Sequence, residues 1–328
     1  MENKKICLVT YGSVDNPKTW SGTTNTIYNY FLRQGYSISN IDIESITGRK
    51  TTPLYKKILG RFIFFYRTTR DPFLYKKCSK KINEAISKND SNIFLFIADY
   101  CFINKDPSKK YIVYIDAVLP ELIKYDSWRP FKKVLLHLHR KNDLNSLKSF
   151  DLILTQNDWT KKYCLNNYGL EYVENVSFGI NTSFFDGDKN YSNHTMLIIL
   201  RKGREKVKGL KLLLSAFKYL KKNIPDAKLY VVGTDYKHID GVFYYPDCSR
   251  EEKELLYKNA SLYVMPAIRE PNGITYLEAL AHKTPIIALN RFSTPEFTQN
   301  GSFGFLVQKP KPKSLAKCIA SAMSKPDE

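Results

Sequence analysis

Two glutamates eight residues apart, Glu270 and Glu278, bracket the pair Asn272 and Gly273 in "MPAIREPNGITYLEALAHKTPII", within a chain whose net charge is +19. A helix beginning near Asn272 and Gly273 turns its first backbone N–H groups and the positive end of its dipole towards whatever lies ahead of it. Phosphate is the natural guest of such a terminus. Glu278 then stands about 7 to 8 Å further along the axis, at roughly 1.5 Å per residue. That reach suits a diphosphate at the helix start whose ribose extends back to the carboxylate, because a carboxylate accepts from both ribose hydroxyls. Glu270 precedes the helix, where a carboxylate can meet the other end of the ligand. A second stretch, "RKGREKVKG", sets Arg204 and Lys208 between a strand and a helix, where they can grip the same diphosphate. Arg201 stands three residues before Arg204.

The elements that must position these residues alternate along the chain. "KICLVTY", "SISNIDIES", "SNIFLFIAD", "KYIVYID", "DLILTQN" and "VENVSFGI" read as strands, and "SGTTNTIYNYFLRQGY" as an N-capped helix that ends near Gly35 with Ile27, Tyr30 and Phe31 on one face. The polar segment from Gly179 to His194 has no periodicity and reads as a linker. After it the alternation restarts with strands "TMLIILR", "AKLYVVG", "SLYVMPA" and "TPIIAL", and helices "GLKLLLSAFKYLKKN", "REEKELLYKNA" and "ITYLEALAHK". This pattern predicts an α/β protein with two doubly wound Rossmann-like domains, residues 1–180 and 181–328, facing a cleft.

Together, "REPNGITYLEALAHKTPII", "GREKVKGLKLLLSAFKYLKKNIPDAKLYVVG" and "STPEFTQNGSFGFLV" resemble the C-terminal domain of the family 4 glycosyltransferases, retaining enzymes of the GT-B fold. The family's E-x7-E pattern is matched by Glu270 and Glu278. Its diphosphate-binding Arg and Lys are matched by Arg204 and Lys208, one residue closer together than is usual, and the rival claim of Arg201 to the first role comes only from that spacing. "WSGTTNTIYNYFLRQGY" resembles the family's N-terminal glycine loop, which puts Gly22 beside the donor, and "SFGINTSFF" resembles its hinge. The likeness is strong in the second half and weak between about residues 45 and 110. It implies transfer of a sugar, with anomeric configuration retained, from a nucleoside diphosphate sugar to an acceptor hydroxyl on a glycan or glycolipid. Gly22, Arg204, Lys208, Asn272, Gly273, Ile274 and Glu278 would bind the donor, and Glu270 and Asp116 would carry the catalytic roles. Cations and the helix start would stabilise the leaving diphosphate, a task that falls to a metal ion in other folds, so no metal is required. Many members place a histidine after the fourth strand; this chain has Asp116 there instead.

Other readings stand beside these. Glu270 is also what a helix dipole favours as a nearby acid, Asp116 is a candidate cap for "AVLPELI", and Gly22 a candidate turn glycine behind a serine cap. Asp186-Gly187-Asp188 has the D-x-D form of a metal site but sits in the linker and reads as a turn. His137 and His139 are not spaced for zinc and read as surface or cleft residues. Six scattered cysteines without a C-x-x-C pair read as reduced thiols of a cytoplasmic protein. The N-terminal apolar stretch is too short for a signal peptide, and no run approaches the roughly 20 residues that span a bilayer. Between Arg49 and Lys81 eleven basic residues stand against the single acid Asp71, interleaved with seven aromatics. Such a patch can touch anionic lipid head groups, nucleic acid or neither, and charge alone does not choose among them; peripheral contact with an anionic membrane is the expectation, and no nucleic acid is expected. This patch also defines the alternative function, a non-catalytic binder of nucleic acid or anionic membrane on a degenerate transferase scaffold, which would need it and neither glutamate. A nicotinamide-dependent dehydrogenase is disfavoured because "YGSVDNPKTWSGTT" after the first strand lacks G-x-G-x-x-G.

Overall fold

The computed structural model describes residues 5–16, 19–47, 74–118, 120–121 and 132–324. The chain divides into two units, residues 1–178 and 179–328.

In the first unit the order is β1 (Lys5–Thr10), α1 (Thr23–Arg33), β2 (Ser37–Asp42), α2 (Ile43–Thr47), α3 (Tyr75–Ser87), β3 (Ile93–Ile97), β4 (Lys110–Ile115), α4 (Lys132–Leu147), β5 (Leu152–Thr155), α5 (Asp158–Tyr168) and β6 (Val173–Asn175). The described strands form one parallel sheet ordered β2-β1-β3-β4-β5-β6. Because side chains alternate across a strand, Cys7, Val9, Phe94 and Phe96 join one core while Ile6, Leu8, Leu95 and Ile97 join another. Both faces are covered at β1, β3 and β4, which is why these strands read as nearly unbroken apolar runs, whereas β2 at the edge does not.

The second unit runs β7 (Thr195–Ile199), α6 (Leu210–Leu220), β8 (Lys228–Val232), β9 (Val242–Tyr245), α7 (Arg250–Asn259), β10 (Leu262–Met265), α8 (Ile274–Ala281), β11 (Ile286–Leu289), α9 (Thr294–Phe297), β12 (Gly304–Val307) and α10 (Pro312–Met323). Its parallel sheet is ordered β12-β11-β10-β7-β8-β9. The chain order therefore reverses between β7 and β10, which pair through Leu262 with Met196 and Tyr263 with Leu197. In such a sheet the carboxyl ends of these two strands mark the place for a ligand.

Several sequence expectations need correction. Helix α1 starts at Thr23 with Gly22 as its left-handed cap and no side-chain cap. Tyr30 points outwards at 54% exposure, while Ile27 and Phe31 pack on the core. His139 is not at the surface: α4 carries it into the interior, leaving His137 exposed. Periodicity assigns none of helices α3, α4, α5, α9 and α10 or strands β9 and β12, and the end of "SISNIDIES", expected as strand, opens helix α2 at Ile43. Residues 48–73, most of the basic aromatic patch, lie outside the described residues; of its remainder, Lys76, Lys77 and Lys80 are exposed on α3, whose Cys78, Ile82 and Ile86 are buried.

Candidate functional site

The two loops that leave the strands at the reversal point carry most of the expected donor residues. The first follows β7 and winds as a helical turn: the Arg204 amide donates to Arg201, and the Lys208 amide to Arg204, each at 2.9 Å. Four residues apart on such a turn, Arg204 and Lys208 face the same side. Gly203 and Gly209 take left-handed backbone angles, and a Cβ on Gly209 would stand 2.1 Å from the Pro266 carbonyl. Only glycine lets this loop lie against the one that follows β10. The amide of Ile268 seals the contact by donating to the Val207 carbonyl at 2.8 Å. Glu205 braces the turn, its carboxylate accepting from the Gly203 amide at 2.9 Å and the Thr234 hydroxyl at 3.0 Å. Backbone hydrogen bonds, its own amide first and Gly203 after it, hold this carboxyl below the usual range.

The second loop brings Glu270 to Lys208. The Lys208 ammonium donates to Glu270 Oε2, and Glu270 Oε1 accepts the Gly273 amide at 2.9 Å. The two side chains are 19% and 16% exposed. One carboxylate thus joins the basic turn to the start of α8. Gly273 caps that helix at φ 71°, and no side chain caps it. A Cβ there would meet the Tyr276 ring at 2.2 Å. The ring cannot yield easily, because the Tyr276 hydroxyl donates to the Met265 carbonyl at 2.8 Å in the core. Asn272 is buried beside Gly273, the Ser293 hydroxyl donates to the Pro271 carbonyl, and Ile274 opens the helix half-buried. Arg204 and Arg201 are both exposed, so burial does not separate them.

Glu278 lies one turn and a half further along α8, half-buried, with Oε2 accepting the Tyr257 hydroxyl at 2.9 Å. Burial pushes Tyr257 far above the ordinary phenol range, with Tyr263 and Glu278 adding to the shift. It therefore remains a donor to the glutamate. Tyr257 was invisible to motif reasoning, since it sits on α7, 21 residues away from its partner.

The first unit holds Gly22 and Asp116. Gly22 follows β1 and begins α1 at φ 90°. The loop before it is tied down by Thr10, whose hydroxyl donates to the Gly12 carbonyl at 2.7 Å, and by Asp42, which accepts the Gly12 amide at 2.9 Å. Asp116 stands at the carboxyl end of β4, its carbonyl accepting from Asn157 Nδ2 and Thr160 Oγ1, each at 3.0 Å. In the linker, the carbonyls of Asp186 and Gly187 accept from the Lys283 ammonium. Four of the six cysteines are buried, and none is joined in a disulfide among the described residues.

The sequence model of the glycosyl transferases group 1 family matches residues 185–328. The chain is thus similar to that family over nearly all of its second unit, less than half of its length. Its relatives include D-inositol 3-phosphate glycosyltransferase of Streptomyces scabiei, 32% identical over 88 residues, which are 27% of this chain and 20% of that protein. The match thus spans about one-fifth of that relative's length. Among solved structures, sucrose-phosphate synthase of Thermosynechococcus elongatus aligns at a TM-score of 0.65 with 16% identity, over 98% of this chain and 90% of that one. A mutant of S. aureus TarM in complex with Fondaparinux, alpha-GlcNAc-glycerol and UDP aligns at 0.63 with 13% identity, over 98% and 93%. Likeness at this identity shows the fold, which is GT-B, with two Rossmann-like domains. In this second unit, Arg204, Lys208, Glu270, Asn272, Gly273, Ile274 and Glu278 lie on the two reversal-point loops and the helix that the second one enters.

Proposed function

We propose that the protein moves a sugar, with retention, from a nucleoside diphosphate sugar to an acceptor hydroxyl of a glycan or glycolipid, and that it needs no metal to do so. The observation that carries this reading is the Glu270 carboxylate shared between Lys208 and the Gly273 helix start, at the carboxyl ends of β7 and β10. A diphosphate arriving there offers Lys208 and the α8 terminus a stronger acceptor than one carboxylate. Glu270 is then released towards the sugar hydroxyls, and Arg204 closes on the phosphates from the same side as Lys208. The charge that develops on the leaving diphosphate meets groups already in place. Glu278, steadied by Tyr257, accepts from the ribose. Gly22 and Asp116 take the roles implied by the family resemblance, donor contact and orientation of sugar or acceptor.

Thermal unfolding against UDP, GDP and ADP with EDTA present tests donor binding, because a ligand bound only by the folded chain raises the midpoint. One diphosphate is expected to shift it, and Glu278→Ala to weaken that binding more than about tenfold, with two charge-assisted hydrogen bonds lost. No shift with any of them would remove the transferase reading. Retention is read from the anomeric proton of the product.

The reading includes reversible contact with an anionic membrane through residues 49–81. Among the described residues no helix is long and apolar enough to cross a bilayer. Binding to phosphatidylserine vesicles is expected to fade with salt and with Lys76→Glu, Lys77→Glu and Lys80→Glu combined. Binding indifferent to both would exclude the patch.

A further inference from the structure

The linker sends one cation into the second unit. Residues 179–194 form no regular element. Yet the Lys189 ammonium donates to the Tyr257 carbonyl at 2.6 Å, the Lys258 carbonyl at 3.2 Å, the His282 carbonyl at 3.1 Å and the Thr284 hydroxyl at 2.6 Å. An ammonium has three protons, so four oxygens engage all of them. Three of the four are carbonyls at the closing ends of α7 and α8, where helix dipoles favour a cation. Thr284 is itself fixed, its hydroxyl also 2.9 Å from the Tyr257 carbonyl. Burial works against the charge and pulls Lys189 down to about 7, so this placement is held by those oxygens and not by solvent.

Two of the four residues it grips, Tyr257 and His282, also hold Glu278. The Tyr257 ring stacks on His282 with centroids 5.3 Å apart and planes 15° apart. The Tyr257 hydroxyl reaches the Glu278 carboxylate at 2.9 Å, and His282 Nδ1 lies 2.8 Å from the Glu278 carbonyl. Lys189 therefore takes Tyr257 and His282 by their carbonyls, while their side chains take Glu278 by its carboxylate and its backbone. A lysine that merely stitched the linker down would need none of this convergence.

We infer that Lys189 is a positioning residue of the donor site, which orients the Glu278 carboxylate towards the ribose by fixing the Tyr257 and His282 stack. The inference rests on the transferase reading and goes beyond it, because Lys189 lies outside every sequence stretch that points to the donor site.

The test is calorimetric binding of UDP, GDP and ADP, each beside its 2′,3′-dideoxy counterpart, to the full chain and to Lys189→Met, Tyr257→Phe and Glu278→Gln. Lys189→Met is expected to weaken the bound ribonucleotide about fivefold, the worth of roughly one neutral hydrogen bond. The dideoxy counterpart, which has no hydroxyls for Glu278 to accept from, is expected to bind both proteins alike. Adding Lys189→Met to Glu278→Gln is expected to cost nothing more, since the two act on one contact. A loss equal for both nucleotides, or no loss, overturns the inference while leaving the transferase reading intact. Wild-type protein that binds none of the nucleotides overturns both. Should Lys189→Met not fold, Tyr257→Phe decides, because it keeps the ring stack and the carbonyl grip and removes only the hydroxyl: the same discrimination supports the inference, and wild-type affinity for the ribonucleotide overturns it.

Discussion

Helices α7 and α8 follow neighbouring stretches of the same unit and begin in opposite ways. The amide ends of α7 are satisfied from its own sequence by a complete capping box, Ser249 Oγ accepting the Glu252 amide at 3.1 Å and the Glu252 carboxylate accepting the Ser249 amide at 2.7 Å. Helix α8 opens on a left-handed glycine with no side-chain cap, and its Gly273 amide is met by Glu270, a carboxylate that also answers Lys208. The first arrangement is closed, since each partner is local and committed. In the second, the carboxylate is borrowed from a loop and shared with a cation, so both the helix start and Lys208 have a partner that a diphosphate can replace. A capped terminus serves stability, whereas a terminus served by a shared charge is suited, under the proposed function, to exchange.

Glu270→Gln is the severest expected test. The amide oxygen can still accept the Gly273 amide, but the charge that holds Lys208 is gone. Ground-state binding of the nucleoside diphosphate should stay level or tighten, because Lys208 no longer has to leave an ion pair. Turnover should fall about a hundredfold, the usual order for losing one preorganised group at a developing charge. Isothermal titration beside steady-state kinetics separates the two quantities. Parallel loss of both would mean that Glu270 serves only to hold the loop.

Gly273→Ala attacks the backbone of the same junction. The residue would keep φ at 71° while its Cβ pressed the Tyr276 ring at 2.2 Å. Left-handed strain and overpacking each cost roughly 1 to 3 kcal/mol, so a loss of about 3 kcal/mol in denaturant unfolding is expected. Gly35→Ala is the control, with φ at 78° and nothing within 4 Å of the added carbon. It should cost only about 1 kcal/mol. Equal costs at the two positions would show that the Tyr276 contact yields freely.

The contrast between the helices also marks what could be read from the sequence. Apolar runs such as "TMLII" and "IIAL" give buried strands directly, because both faces of a parallel sheet are covered. The spacing of Glu270, Gly273 and Glu278 gives the order of the candidate site because it is local, all on one loop and the first turns of one helix. Strands β9 and β12 escaped because each is four residues long and mostly half-buried at the two edges of the sheet, so neither alternation nor a full apolar run shows. Helix α4 was hidden by "FKKVLLHLHRK", whose charges mask the turn of the helix that buries His139. What completes the site lies far off in the chain: Lys208 meets Glu270 across 62 residues, Tyr257 meets Glu278 across 21, and Lys189 meets Thr284 across 95. Such pairings are set by how strands order in the sheet, and no local pattern encodes them.

Ser249→Ala is the smallest of the expected effects and tests the other side of the comparison. It removes the acceptor for the Glu252 amide and half of the capping box, a loss of about 1 kcal/mol in unfolding free energy. Helix α7 carries Tyr257 near its far end, two turns from Ser249, and that end is held independently by Lys189. Fraying should therefore stay within the first turn, and affinity for the nucleoside diphosphate should not move. Matched denaturation and titration of this variant give two numbers whose ratio decides the point. If affinity fell in step with stability, the start of α7 would be coupled to Glu278 through the length of the helix, and the division between a closed terminus and an exchanging one would fail.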